Sequence, residues 1–313
     1  MQRLSSAQEM PDRFRGGVIA LGNFDGFHRG HQAVVAAAIA QARGEGRPAI
    51  VATFDPHPAR LFRPDASPFR LTTLDQRQRL FAAAGADAML VIGFDALIAG
   101  LDPVGFVADT LVAQFGAAAV VTGEDFTFGA KRAGNVAALA ELGARHGLAT
   151  QAVGPVRDGE GAISSSRIRQ ALLAGDCAEA ARLLTRPFAI EGEVIHGDKL
   201  GRTIGYPTAN LALGDYQRPR YGIYAVRVAL SDGRRIDGVA NLGIRPSFDP
   251  PKELLEPFLF DWGEDLYGRT IEVALEGFVR PEAKFDTIEA LVAQMDADSA
   301  AARAILAEGA PLL

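Results

Sequence analysis

The sequence predicts an α/β domain, a parallel sheet with helices on both faces, followed by a small antiparallel β-barrel with a C-terminal helix. Three observations carry this. Up to about residue 186, short apolar runs alternate with helix-period segments, the pattern of successive βαβ units. Those runs are continuously apolar, as strands are when helices cover both sheet faces. Beyond residue 186 the period falls to two, punctuated by Gly, Pro and Asp, which marks antiparallel strands.

The elements follow in order. "GVIALG" (17–22) reads as a strand, and "GHQAVVAAAIAQAR" (30–43) as a helix ended by Gly44. "PAIVATF" (48–54) is a strand, and "LDQRQRLFAAAG" (74–85) a helix closed by Gly85. "AMLVIGF" (88–94) is a strand, followed by a helix over 103–116 with proline in its first turn. "AAVVTG" (118–123), a helix over 135–147 and the strand "LATQAV" (148–153) come next. "SSSRIRQALLAG" (164–175) is a helix with serines at its cap. In the second half "EGEVIHG", "GIYAVRVAL", "RRIDGVANL", "LEPFLFD" and "TIEVALEGFVR" alternate as strands, and 285–308 is helical. The expected domains are therefore 1–186 and 187–313, with no internal repeat or low-complexity linker between them.

A chain of 313 residues suits two domains of ordinary size. A net charge of −6 without a basic stripe argues against nucleic acid as a partner and against a polybasic membrane patch. One cysteine, Cys177, excludes an intrachain disulfide and a cysteine-based zinc cluster. No signal-peptide core and no apolar run of 18 residues is present, so a soluble cytoplasmic protein is expected. The oligomeric state stays open, a homo-oligomer included.

The hand-over from first strand to first helix reads "GNFDGFHRGH" (22–31). In an open α/β sheet, ligands sit at the carboxyl ends of strands against helix N-termini, where free N–H groups and the helix dipole favour anions. Gly22, Gly26 and Gly30 allow close backbone approach, and His28 and His31 face the same corner. The histidine pair has three readings. A metal site lacks a third ligand at metal spacing. A structural pair satisfied by backbone stays open. Phosphate handling is the preferred reading. "GEGRPA" (44–49) imitates a dinucleotide fingerprint, but it follows a helix and precedes a strand, the wrong order.

"GFHRGH", extended to "GNFDGFHRGHQ" and joined in order by "TFDPHP" (53–58), "GEDFTFG" (123–129) and "ISSSRIR" (163–169), resembles the H-x-G-H nucleotidyltransferases. More narrowly, it resembles the adenylyltransferase module of the prokaryotic bifunctional riboflavin kinase/FAD synthetase family. The resemblance implies a Rossmann-like nucleotidyltransferase fold for the first half. It implies that His28 and His31 stabilise ATP phosphates and the pentacoordinate centre. Ser164, Ser165 and Arg169 match the family's S-S-x-x-x-R signature, with a simple helix cap as the rival for Ser164. Gly22, Asn23, Phe24, Asp25, Gly30, Asp55 and Asp125 are the other nucleotide- or substrate-binding candidates. Asp125 stands where many relatives carry Asn, Phe27 where a smaller apolar residue is usual, and Asp25 is equally a candidate helix cap.

In the second half, "GDKLGRT" (197–203) imitates a phosphate loop but is one residue short and has Arg for Lys. "GRTIGYPTAN" (201–210) offers Thr and Asn oxygens two residues apart, a donor pair suited to Mg²⁺ beside phosphates or simply a turn. This stretch, followed by "NLGIRPSF" (241–248), "LEPFLFD" (255–261) and "DLYGR" (265–269), resembles the riboflavin kinase module of the same family. The resemblance implies binding by Gly201, Arg202, Gly205 and Pro207, and metal ligation by Thr208 and Asn210. It makes Glu256, five residues before Asp261, the general base for the ribityl 5′-hydroxyl. Glu253 is the runner-up, because Pro257 beside Glu256 suggests an edge or bulge that shifts the register. The resemblance spans roughly residues 15 to 308.

Both modules together imply ATP-dependent conversion of riboflavin to FMN and of FMN to FAD, with Mg²⁺ accompanying ATP. Riboflavin, ATP, FMN and FAD would be the small-molecule partners. Two alternatives stay open: an adenylyltransferase whose barrel only binds flavin, and a non-catalytic flavin-sensing module.

Overall fold

In the computed structural model, which describes residues 1–196, 205–245 and 252–308, the apolar runs of the first half form one parallel sheet. Its strands are β1 (Gln2–Ser5), β2 (Val18–Leu21), β3 (Ala49–Asp55), β4 (Ala88–Gly93), β5 (Ala119–Gly123) and β6 (Ala149–Val153), in spatial order β1-β4-β3-β2-β5-β6. All pairings between neighbours are parallel. Successive strand residues feed opposite faces. Ile19, Leu21, Ile50 and Val120 join one core, while Val18, Ala20, Val51 and Val121 join the other. That two-sided burial is why the strands lack alternation.

The helices fill both faces. α1 (Arg29–Glu45) and α2 (Leu74–Ala83) contribute Val34, Val35, Ala38 and Phe81 to one core. α3 (Val136–Arg145) and the helical stretch before β5 contribute Leu139, Leu142, Phe106 and Leu111 to the other. Over Phe106–Gln114 that stretch winds as a π-helix, a departure the helix-period pattern did not distinguish. Gly44 does not end α1. The helix runs to Glu45 and closes on Gly46 in the left-handed conformation (φ 65°, ψ 34°), as a C-terminal glycine cap requires. The edge strand β1 was not expected at all. Only Leu4 of its four residues is buried, too little apolar signal to read.

The second unit is an antiparallel barrel of β7 (Phe188–Glu193), β8 (Leu211–Ala212), β9 (Gly222–Leu230), β10 (Arg235–Arg245), β11 (Lys252–Leu259) and β12 (Thr270–Arg280). Their order is β7-β12-β9-β10-β11-β8. An antiparallel bridge between Ile195 and Asn210 brings the two ends of that order together, so the barrel is nearly closed. The terminal helix α6 (Ile288–Glu308) lays Ala302 and Leu306 on Ala225, Val239 and Phe260.

The compact units are Met1–Ser67 with Leu74–Ile163, and Pro68–Thr73 with Ser164–Leu313. They part between Ile163 and Ser164, earlier than the change of period at 186. The reason is α4 (Ser165–Ala174) and α5 (Cys177–Leu184). α5 packs on β7 and β12, burying Cys177, Ala180, Leu183 and Leu184. The α4 end is tied to the barrel by the Arg220 N–H, which donates to the Leu172 carbonyl at 2.8 Å. The segment Pro68–Thr73 joins the same unit through Arg70, whose N–H donates to the Asp215 carbonyl (2.9 Å) and whose carbonyl accepts from the Gln217 N–H (2.7 Å). Helical periodicity cannot say which sheet a helix will cover, so the sequence alone put both helices with the first half.

Candidate active sites

The first site lies at the carboxyl ends of β3, β2 and β5. The strand order reverses direction between β2 and β5, the switch point where open α/β sheets bind ligands. Asp55 ends β3, residues 23–28 follow β2, and the exposed Asp125 follows β5. The turn after β2 is tightly wound. Phe24 (φ 48°), Gly26 (φ 85°) and Phe27 (φ 46°) all adopt left-handed backbone conformations, a costly arrangement for two phenylalanines. Their burial holds it. Phe24 and Phe27 pack edge-on against Phe81 of α2, and a Cβ on Gly22 would stand 3.0 Å from the Phe24 ring.

A buried arginine that the sequence reading passed over, Arg77, completes the turn. It donates to Thr53 Oγ1 (2.9 Å) and to the Asn23 carbonyl (3.3 Å), and Thr53 Oγ1 donates to the same carbonyl at 2.7 Å. Its guanidinium lies 3.9 Å from the equally buried Asp25 carboxylate. Asp25 therefore does not cap α1. Its charge is paired with Arg77 inside the turn. The readable signal was spacing: Arg77 precedes the buried Phe81 by one helical turn, on the inward face.

The cap of α1 is His28. Its Nδ1 accepts the His31 N–H at 3.3 Å. In the neutral ring this places the proton on Nε2, a donor held at the helix N-terminus. The two imidazoles stack at 3.6 Å, and the His31 ring meets Phe24 edge-on at 5.4 Å. Gly30 makes room for this: a Cβ there would stand 3.1 Å from the His28 ring and 3.4 Å from the Ile163 carbonyl. At the end of β3 the Asp55–Pro56 peptide is cis, and His57 caps the next short helix through the Ala59 N–H (3.1 Å).

Ser164, Ser165 and Arg169 belong to the second unit. Ser164 is the N-cap of α4, accepting from the Arg167 N–H at 3.4 Å, and Ser165 opens the helix. Arg169 donates to the Phe69 carbonyl (2.8 Å) and lies 5.3 Å from the centre of the Phe69 ring. Burial pushes the Cys177 thiol up to about 12, so it is no nucleophile at neutral pH.

The second site is built on β11 and the segment before β8. Gly201 and Arg202 lie outside the described residues. Gly205 is left-handed (φ 85°), and the exposed Pro207 leads into Thr208 and the buried Asn210. The Ala209 N–H donates to the Pro257 carbonyl at 2.9 Å, and the Asn210 carbonyl accepts from the Ile195 N–H at 2.9 Å. Leu211 pairs with Leu255. One step along that register, between these two contacts, Asn210 stands opposite Glu256. Tyr206 packs on Phe258 at 4.7 Å, and its hydroxyl donates to Asp296 of α6.

Pro257 shifts nothing. The β10–β11 register is uninterrupted from Gly238/Leu259 to Arg245/Lys252. The proline's missing N–H falls toward the irregular segment before β8, where its carbonyl takes the Ala209 N–H, so only one ladder bond is lost at the barrel's short edge. Glu253 is committed elsewhere. It accepts from Arg218 at 2.9 and 2.6 Å and from the Tyr221 hydroxyl, and the Arg218 hydrogen bonds hold its carboxyl below the ordinary range. Asp261, the other marker of the motif, is exposed and pairs with Arg303 at 3.2 Å.

Comparison with known proteins bears on both sites. A family model described as FAD synthetase matches residues 10–167, and one described as riboflavin kinase matches residues 184–306. The chain is 40% identical over 288 residues to a bifunctional riboflavin kinase/FMN adenylyltransferase of Escherichia coli (strain K12), covering 92% of each chain. It is 38% identical over 311 residues to a protein of the same description from Pseudomonas fluorescens, covering 99% of each. A crystal structure from Streptococcus pneumoniae, described as a macrolide-efflux protein, matches with a TM-score of 0.85 at 32% identity, covering 97% of this chain and 99% of that one. Among the described residues no helix is long and apolar enough to cross a membrane.

Proposed function

The chain belongs to the family of bifunctional riboflavin kinase/FMN adenylyltransferases, and from that premise we propose how its two sites divide the work. The barrel transfers the γ-phosphoryl group of ATP to riboflavin, giving FMN and ADP. The α/β half joins FMN to the adenylyl group of a second ATP, giving FAD and pyrophosphate. The functional division is 1–186 for adenylyl transfer and 187–313 for the kinase. The setting is cytoplasmic, and neither nucleic acid nor membrane is a partner.

The observation that carries the kinase assignment is the place of Glu256 directly across from Asn210 in the barrel ladder. Glu256 takes the proton of the ribityl 5′-hydroxyl as that oxygen attacks the γ-phosphorus. Thr208 and Asn210 present neutral hard oxygens beside a carboxylate, a donor set that fits Mg²⁺ sharing ATP phosphates. When bound, the ion supplies charge neutralisation on those phosphates. At the other site the His28 Nε2–H and the free N–H groups opening α1 meet ATP phosphate oxygens. An FMN phosphate oxygen attacks the α-phosphorus, and pyrophosphate leaves with the bonding pair. Asn23, Phe24, Asp55 and Asp125 are the other binding residues of that site, with Gly22 leaving room for the Phe24 ring and Gly30 for the His28 ring.

The test is direct. Purified protein is incubated with riboflavin, ATP and Mg²⁺, and the flavins are separated by chromatography. FMN appears first and FAD follows. Riboflavin left unchanged refutes the kinase assignment, and supplied FMN left unchanged refutes the transferase.

A further inference from the structure

Asn241 of β10 pairs with Glu256 of β11, and Glu256 stands opposite Asn210. Residues directly opposite in a ladder project to the same face. Asn210, Glu256 and Asn241 therefore form one polar row across three neighbouring strands. On one side along that face the row is apolar, Val239 pairing with Phe258; on the other Gly243 pairs with Leu254, and the Glu282 carboxylate lies over Gly243. Val239 and Phe258 belong to the cluster covered by α6, so the polar row begins where the helix's apolar cover ends. The Asn241 carboxamide oxygen, Oδ1, is buried and has no hydrogen-bond partner. Buried carbonyl oxygens without a donor are rare in native proteins, and each calls for a reason.

Building on the kinase reading of this barrel, we propose that Asn241 Oδ1 accepts a hydrogen bond from the ribityl hydroxyl next to the attacking one, the 4′-hydroxyl of riboflavin. Glu256 takes the 5′-hydroxyl proton. The adjacent acceptor in the row then meets the adjacent donor on the chain. A polyol is the ligand chemistry that supplies two neighbouring O–H groups to two neighbouring acceptors. Asn241 orients the chain so that the 5′-oxygen, and not the 4′-oxygen, is presented to phosphate.

Asn241→Leu tests this in the full-length protein, because it removes the polar atoms and keeps the shape. An orphaned buried oxygen costs stability, so the leucine variant melts no lower than the parent. Riboflavin binding, followed by quenching of flavin fluorescence, weakens about tenfold, the loss expected for one buried hydrogen bond. The KM for riboflavin rises while that for ATP does not. A flavin lacking the 4′-hydroxyl loses the same factor on the parent and loses nothing further on the variant, since both changes delete one bond. Asn241→Ala carries the same comparison should leucine not be accommodated. Parent-like riboflavin affinity in the variants overturns the inference, as does a deoxy-flavin loss that multiplies with the variant's. A parent that fails to phosphorylate riboflavin refutes the kinase reading itself, a different outcome from either of these.

Discussion

Glu256 and Glu253 are three residues apart on one strand and so project to opposite faces, Glu256 to the face it shares with Asn210. Glu253 is held by Arg218 and Tyr221, whereas Glu256 faces the row that contains Asn210. Glu256→Gln keeps size and reach but cannot accept the proton, so the kinase rate falls by about 10²–10⁴-fold, while supplied FMN still becomes FAD. Glu253→Gln keeps kinase activity and loses an ion pair. That pair is worth about 1 kcal/mol or less at its partly exposed position. Its pH dependence has a definite sign. The folded carboxyl titrates below its ordinary value of 4.5, so its stabilisation is present above that pH and lost as pH falls through the depressed value. The parent's melting temperature should exceed that of Glu253→Gln at pH 7, and the gap should close as pH falls through the depressed value. A gap that persists in acid would mean that the glutamine disturbs packing rather than charge. At this scale the sequence was legible where a residue belongs to a contiguous motif, as with His28 and Glu256. Arg77 was not legible, because its partners Thr53 and Asp25 come from two other elements and only the fold brings them together.

The strand β2, its turn and helix α1 act as one device. The strand is fully buried, the turn reverses through three left-handed residues, and the helix opens with His28 as its cap. Gly30 is the point where sequence and device meet. It is the second residue of α1 and has no left-handed φ, so alanine suits its backbone. Its Cβ, however, would stand 3.1 Å from the His28 ring, tighter than carbon atoms normally approach. Gly30→Ala should therefore shift the melting temperature little while adenylyl transfer drops by about tenfold or more, short of the 10²-fold or so that a full ångström of misplacement costs. Riboflavin phosphorylation should be unchanged. Full FAD synthesis in this variant would show that the ring's position is not critical. Elements of this kind are readable because strand, glycines and helix period are all local. The ends are less so: α1 runs past Gly44 to Gly46, since a glycine closes a helix only where the chain turns left-handed. The edge strand β1 escaped because pairing with β4, not its own pattern, makes it a strand.

Across the whole molecule, the change of hydrophobic period near 186 and the division of compact units at Ile163/Ser164 mark different things. The first is where strands stop being two-sided. The second is where the chain stops packing on the parallel sheet. α4 and α5 lie between the two. Their buried Leu172, Leu183 and Leu184 are worth about 1.5–3 kcal/mol each, against a typical domain stability of about 5–15 kcal/mol. A barrel fragment cut at 187 loses all three and uncovers the faces of β7 and β12 on which α5 lies. One cut at 164 keeps them. Fragment 164–313 should fold and convert riboflavin to FMN. Fragment 187–313 should melt at a clearly lower temperature, with kinase activity that tracks its folded fraction. Neither should make FAD, because His28 and His31 are absent from both. Thermal melts and flavin chromatography on the two fragments decide the matter. Equal melting temperatures would mean that α5 covers the barrel without stabilising it, and the boundary at 186 would then be the structural one as well as the functional one.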